Sequence, residues 1–370
     1  VIPIKNNNVR GYSQPRSIVR LDGNKTFFLN WTVNLNSNRY ASDFTVSLPF
    51  KITNNVKKDY LITTNDATST LFTKSNILVE IFVGFPQNPQ SYTTNDLTRI
   101  MYGYVDTIDL SLSGHGEVIN LTGRSQVAPF LDNKTTNKFQ NMTSSAVART
   151  FAINHGLNTQ IQDTYTLAGH YYSGDSINMT KDNCEWDILA YLADNEGFEV
   201  MVWDNTLYFM PASAIQSKIT TNPFDYAWGW NILECQISRS PHAAKNIIVN
   251  VHSFNKTTHK HIKATAKRNT TYQTSVNQTY YYTGLTQDQA QKRANSLLDQ
   301  LSKMELIAQM QVSGNSKLIP NQPINLQGVG MGLSQTYYIR KATHTFDMEQ
   351  SGYFCDLYLS NLLLQDDGGM

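Results

Sequence analysis

Residues 337–360 read YYIRKATHTFDMEQSGYFCDLYLS. The pattern predicts one long β-hairpin, with arms at 337–346 and 353–360 and Gly352 near the bend. In the second arm Tyr353, Cys355, Leu357 and Leu359 fall on one face, and Phe354, Asp356, Tyr358 and Ser360 on the other. That period of two marks a strand with a single buried side. The second face should then be cleanly polar, yet it carries Phe354 and Tyr358. We expect a neighbouring β-unit to cover them.

An earlier segment has the same plan. ILVEIFVGF, then MYGYVDTIDLSLSGHGEVINLTGR, gives a short strand followed by a long hairpin with glycine near its bend. PINLQGVG, then TYYIRKATHTFDMEQSGYFCDLYLS, repeats the order and the lengths. Internal similarity of this kind points to a duplicated β-unit. The expected fold is mainly β: two tube-like antiparallel β-barrels related by internal duplication, plus a small α/β domain.

Working outward, we place an N-terminal arm at 1–16 and a first barrel at 17–132. An α/β insert follows at 133–222, then a second barrel at 223–362 with one helix at 286–304, and a flexible tail at 363–370. In the first barrel Val33 and Leu35 alternate with Asn34 and Asn36, and Val46 and Leu48 with Thr45 and Ser47. Strands are expected at 18–21, 27–35, 43–50, 77–85, 100–112 and 117–123. In the insert, Ser144 or Ser145 caps a helix, and Asp182 caps another with Glu185 completing a capping box and Gly197 ending it. Strands return at 231–238, 245–252 and 261–267. Thr286 and Gln289 form the capping box of the helix whose apolar face holds Ala290, Ala294, Leu297 and Leu301.

Composition narrows the function classes. Lys plus Arg is 30 and Asp plus Glu is 29, so no net field draws nucleic acid or anionic lipid. Charged residues make up 16% of the chain, and its polarity rests instead on Asn, Thr, Ser, Gln and Tyr. Cys184, Cys235 and Cys355 fit neither a disulfide framework nor a zinc pattern and read as free thiols. The opening residues lack a leader pattern, and no apolar run approaches the ~18 residues of a membrane span, so no membrane anchor is expected.

Motifs with chemistry are few. His259 and His261 read as two imidazoles on one strand face, but zinc sites need three or four ligands. Their hairpin, with Lys260, Lys263 and Lys267, reads as a basic exposed surface. Glu196, Glu199 and Asp204 form the best carboxylate set for a glycosidase, which needs two carboxyls across one cleft at roughly 5–9.5 Å. GVGMG at 328–332 precedes a strand, whereas a dinucleotide fingerprint precedes a helix. Tyr280, Tyr281 and Tyr282 suit packing within or between the barrels better than sugar stacking. No metal or other cofactor is expected.

Four stretches together resemble a known family. They are YGYVDTIDLSL with INLTGRSQVAPFLD (102–132), KDNCEWDILAYLADNEGFEVMVWDNTLYFMP (181–211), LTQDQAQKRANSLLDQL (285–301) and the opening hairpin. In this order the chain resembles the baseplate hub proteins of contractile-tailed bacteriophages, the late control protein D family, and the hub part of VgrG spike proteins. The resemblance implies a non-enzymatic homotrimer whose two barrels per chain give a pseudo-six-fold ring. Such a ring adapts the six-fold tail tube to a three-fold central spike, expected here as a separate protein. It further implies contact with a tube or tube-initiator protein, the tape-measure protein and other baseplate proteins. DNA would touch it only transiently during ejection. The expected place is the virion baseplate, assembled in the host cytoplasm. Tyr102, Tyr104, Phe354 and Tyr358 are the expected lateral contacts, with the hairpin from Tyr102 to Gly123. The competing readings are a tail-associated peptidoglycan hydrolase using Glu196 or Glu199, and a glycan-binding tail module using the tyrosines.

Overall fold

The computed structural model describes residues 14–361, except 38–39, 52–61, 64–67, 114–115, 136–138, 140, 166, 168–182, 220–221, 241–245, 256–258, 269–274, 303–304 and 349–351. Most of the expected arm, the tail and Asp182 lie outside the described residues.

The first β-unit contains β1 (Arg16–Leu21), β2 (Asn24–Thr26), β3 (Asn30–Asn36), β4 (Asp43–Lys51), β5 (Ile62–Thr63), β6 (Leu78–Gly84), β7 (Thr98–Ser113) and β8 (Gly116–Ser125). Helix α1 (Thr68–Thr73) lies between β5 and β6. The alternation seen in the sequence is the alternation of burial: Trp31, Val33, Leu35, Val46 and Leu48 are inside, and Thr32, Asn34 and Ser47 face away. The unit curls so that its outer strands meet across the core. Trp31 Nε1 on β3 donates to Ser17 Oγ on β1 at 2.9 Å, and Ser17 Oγ donates to the Phe82 carbonyl on β6 at 2.7 Å.

Two α/β units come next in the chain. One holds α2 (Ala128–Asp132), α3 (Ser144–Asn154), β9 (Asn158–Ile161), α4 (Glu185–Glu196), β10 (Glu199–Trp203), β11 (Thr206–Met210) and α5 (Ala212–Ile219), with the sheet order β10-β11-β9. Thr143 caps α3, one residue before the expected serines. Helix α4 begins on Cys184, whose Sγ accepts from the Asp187 amide, and ends at Gly197 with φ +73°. The strands of the second β-unit, β12 (Phe224–Ala227) and β13 (Ile232–Arg239), follow, and another α/β unit then interrupts them. It is built from β14 (Asn246–Asn255), β15 (Lys260–Lys267), β16 (Ser275–Thr283) and α6 (Gln287–Ser302). β14 and β15, expected within the second barrel, instead form a separate sheet of order β15-β14-β16. Its Ile247, Val249, Val251, Ala264 and Ala266 pack on Ala290, Ala294 and Leu297 of α6 as a core of their own. The Thr286–Gln289 capping box starts α6 as the spacing predicts.

β17 (Leu306–Ser313), β18 (Pro323–Gln327), β19 (Thr336–Asp347) and β20 (Gly352–Ser360) complete the second β-unit. The two β-units run as one 14-stranded sheet. In the first the order is β1-β6-β7-β8-β4-β3, and in the second β12-β18-β19-β20-β17-β13. Strand for strand, in chain order, these match. The registers match as well. Trp31, Val46, Leu121 and Ile108 lie in one row across β3, β4, β8 and β7. Cys235, Met310, Leu357 and Ala342 lie in the equivalent row across β13, β17, β20 and β19. A bulge falls at the same place in both long hairpins, at Asp106 and at Arg340. One pairing differs: β1 meets β6 antiparallel, while β12 meets β18 in parallel.

Candidate functional site: a polar sheet face and two open edges

The β-units meet edge to edge. β3 of the first pairs antiparallel with the outer half of β19, placing Trp31 opposite Phe346 and Val33 opposite His344. The pleat then puts every second residue of the joined strands on one continuous polar face. One row runs Glu234, Gln311, Asp356, Thr343, Asn34, Asp43, Arg124, Tyr104, one residue from each strand. Side-chain hydrogen bonds link it: Gln311 to Asp356 at 2.9 Å, Thr343 to Asn34 at 2.8 Å and Asn34 to Asp43 at 2.7 Å. A parallel row reads Ser313, Phe354, Thr345, Thr32, Thr45, Thr122, Thr107.

These rows answer the puzzle of the opening hairpin. Phe354 is half-buried at one end of a threonine ladder, beside the Thr345 side chain. Tyr358 lies between Gln309 and Lys341, also half-buried. Tyr102 and Tyr104 share the polar face but lie on β7, five strand spacings from β20, or about 24 Å along the sheet. The four tyrosine and phenylalanine residues are therefore on one surface without forming one cluster. Arg99 stands over the Tyr102 ring at 4.6 Å. Burial raises the Tyr102 phenol, with Tyr104 and Glu80 adding to the shift. Arg124, in the first row, is held charged chiefly by its bidentate hydrogen bonds to Asp106.

Two strand edges end this surface. β6 pairs with β7 only as far as Tyr104, so the outer half of β7 meets β8 alone among the described residues. β13 likewise pairs only with β17 among them. Apolar side chains stand exposed on both edges: Leu110 is 40% and Leu112 55% accessible on β7, and Leu233 is 63% accessible on β13. Trp228 and Trp230 are half-exposed just before β13. The sequence does carry a signal for the open edge of β7: that strand is 16 residues long and its neighbour β6 only 7.

The candidate chemistry is dispersed. Glu199 is fully buried, accepting from Asn321 Nδ2 at 2.7 Å with Arg340 Nη1 at 3.5 Å. Glu196 accepts from Ser144 Oγ at 2.9 Å and faces Lys292 at 3.6 Å. Asp204 is half-exposed and pairs with Arg99 at 2.6 Å. The three carboxylates hold three separate polar contacts and do not line one cleft. His259 sits in the turn before β15 with φ +50°, so only His261 is on the strand, against Phe254. Among the described residues no group of three or more His, Cys, Asp or Glu is placed to hold a metal. Tyr280 and Tyr282 pack on the α6 core, while Tyr281 stacks on His252 and is exposed. No helix among the described residues is long and apolar enough to cross a membrane.

The fold is that of phage tail proteins. A tail protein from Neisseria meningitidis MC58 superposes with TM-score 0.69 at 14% identity, over 94% of this chain and 97% of that one. The 43 kDa tail protein of prophage MuSo2 from Shewanella oneidensis gives 0.67 at 14%, over 93% and 98%. An E. coli component of the type VI secretion system gives 0.54 at 8%, over 92% and 76%. No curated protein matches the sequence. The chain belongs to the YQBQ-like family, whose model matches residues 91–360.

Proposed function

We propose that this chain is a structural subunit of a phage tail baseplate, a hub that assembles as a homotrimer. The observation that carries it is the edge-to-edge joint between two equivalent β-units, β3 on β19. A chain that joins its own halves in this way, and has an open edge at each end among the described residues, is built for head-to-tail repetition. Such repetition closes into a ring when the rotation per unit allows it. Three chains with two units each give six similar units, so a three-fold object presents six-fold order. One side would meet the tail tube, the other a central spike, with the tape-measure protein and then DNA passing through.

The polar face supports this reading as the wall of the passage. Gln311, Thr343, Asn34 and Ser47 on it are hydrogen-bonded to neighbours on the same face, and its charges are mixed in sign. A surface without a cationic stripe does not hold phosphates, since affinity for DNA comes mainly from Lys and Arg at the backbone. Transit is then not opposed by binding. The dispersal of Glu196, Glu199 and Asp204 favours a structural role over a hydrolase, because acid and base must converge on one pocket.

Native mass spectrometry tests the proposal. The expected species has three times the 41.8 kDa chain mass, alone or with its spike. A chain that stays at the single mass in both settings removes the ring.

A further inference from the structure

We propose that the ring's intermolecular joint is a β-strand pairing in which β13 of one copy adds antiparallel to the outer half of β7 in the next, with Leu110 opposite Ile237 and Leu112 opposite Cys235. This rests on the ring reading above and names its contact. The register comes from the joint already present within the chain. There, Phe346 faces Trp31 and His344 faces Val33. The shared bulge aligns β7 with β19, so that Leu112 holds the place of Phe346 and Leu110 that of His344. The matched rows put Cys235 in the place of Trp31 and Ile237 in that of Val33. Carrying the in-chain pairing across gives the two pairs named.

Three observations favour a second copy as the occupant. The edges are complementary by construction, since each is the counterpart of a strand that is paired inside the chain. Their residues are apolar at the positions where the in-chain joint is buried: Trp31, Val33 and Phe346 are inside, and Leu110 and Leu112 are not. Ile108, Cys235 and Ile237 already pack against the rim of the main core, poised to continue it. On the other face the pairing sets Asp109 opposite Ser238 and Ser111 opposite Gln236. No like charges meet, and the polar surface runs on from copy to copy. Strand edges with exposed apolar residues are ordinarily blunted by charge, proline or cover; here a partner edge supplies the cover.

A single substitution tests the register. Directly opposed residues on antiparallel strands have Cα atoms about 4.5–5.5 Å apart, inside the range a disulfide accepts. Leu112→Cys is therefore expected to cross-link to the native Cys235 of the next copy on mild oxidation with copper phenanthroline. The monomer band should be lost under non-reducing conditions, and a peptide pair joining 112 to 235 should appear. Cys184 and Cys355 are buried and do not compete. Ser111→Cys, on the opposite face, should leave the monomer band intact, and so should Leu112→Cys with Cys235→Ser. In the unmutated chain, assembly should slow hydrogen exchange at 107–112 and 234–238. A trimer by mass without these cross-links and without that protection overturns the joint while the ring stands. Linkage of Cys235 through Leu110→Cys in place of Leu112→Cys overturns the register. A chain that is monomeric throughout overturns both.

Discussion

His344 and Tyr353 face each other inside the second β-unit, with His344 Nδ1 2.8 Å from the Tyr353 hydroxyl. His344 Nε2 lies 2.8 Å from the Leu318 carbonyl, to which it can only donate. Burial keeps the imidazole neutral near pH 7, so with the proton on Nε2, Nδ1 is the acceptor and Tyr353 the donor. Cys355 Sγ stands 3.2 Å from the same Nδ1. Burial lowers the His344 pKa to about 4 and raises the Cys355 thiol to about 12, so both are uncharged near neutrality.

That neutrality makes acid destabilising. The unfolded imidazole takes up a proton near 6.5, the folded one near 4. Between those values the unfolded state binds more protons, so stability falls as pH falls. The full effect is about 3 kcal/mol from this one residue. Urea unfolding at pH 7 and at pH 4.5 should show the loss. His344→Gln should lower stability at pH 7 yet flatten the pH dependence. An unchanged slope in that variant would remove His344 as the cause.

The joint of the first α/β unit with the second β-unit is a buried ion pair. Glu199 opens β10, and Arg340 is the bulge residue of β19, where its Nε donates to Ser360 Oγ at 2.8 Å. Arg340→Met should cost about 3–5 kcal/mol, because it leaves a buried carboxylate without its counter-charge. Adding Glu199→Gln should restore part of that loss, since the neutral amide has no buried charge to compensate. Thermal unfolding of the two single variants and the double variant measures the coupling. Additive losses would mean that the pair does not act as one.

Gly123 is required by space and not by turn geometry. A Cβ there would fall 2.1 Å from the Tyr104 carbonyl oxygen and 2.5 Å from the Phe44 ring. Gly123 faces Val105, one residue before the bulge, where β7 and β8 come close. Gly123→Ala must push the strand or the ring aside, at about 1–3 kcal/mol or more. Gly352→Ala, with open space but φ +68°, should cost less. Denaturant midpoints rank the two variants, and a milder effect at Gly123 would contradict the packing.

Local features were legible in the sequence where a single strand or cap carries its own pattern. The two long hairpins, their matching order and the Thr286–Gln289 cap all stand where the residues indicate. Three consecutive tyrosines hid β16, because alternation vanishes when Tyr280, Tyr281 and Tyr282 look alike and only their burial differs. β12 is too short to show a period, and it pairs in parallel with a strand about a hundred residues away. The joint between the units was invisible for a similar reason. Thr343 and Asn34 are 309 positions apart, and nothing local announces a pairing of that range. The opening puzzle had its solution there: Phe354 and Tyr358 sit on a face whose extent depends on strands from the far end of the chain.

Trp31 ties together both levels of this architecture. Its ring stacks on Phe346 across the in-chain joint, with centroids 5.7 Å apart and planes 17° from parallel. Its Nε1 meanwhile closes the first β-unit through Ser17. Trp31→Phe keeps much of the stacked surface and removes the indole donor, so it should cost about 1 kcal/mol. Trp31→Ala also opens a cavity between β3 and β19, at about 3–5 kcal/mol. The alanine variant should further speed hydrogen exchange in both strands, since the joint itself is loosened, whereas the phenylalanine variant should leave exchange in β19 near its original rate. If both variants loosen β19 equally, the indole hydrogen bond holds the two units together and the ring stacking does not.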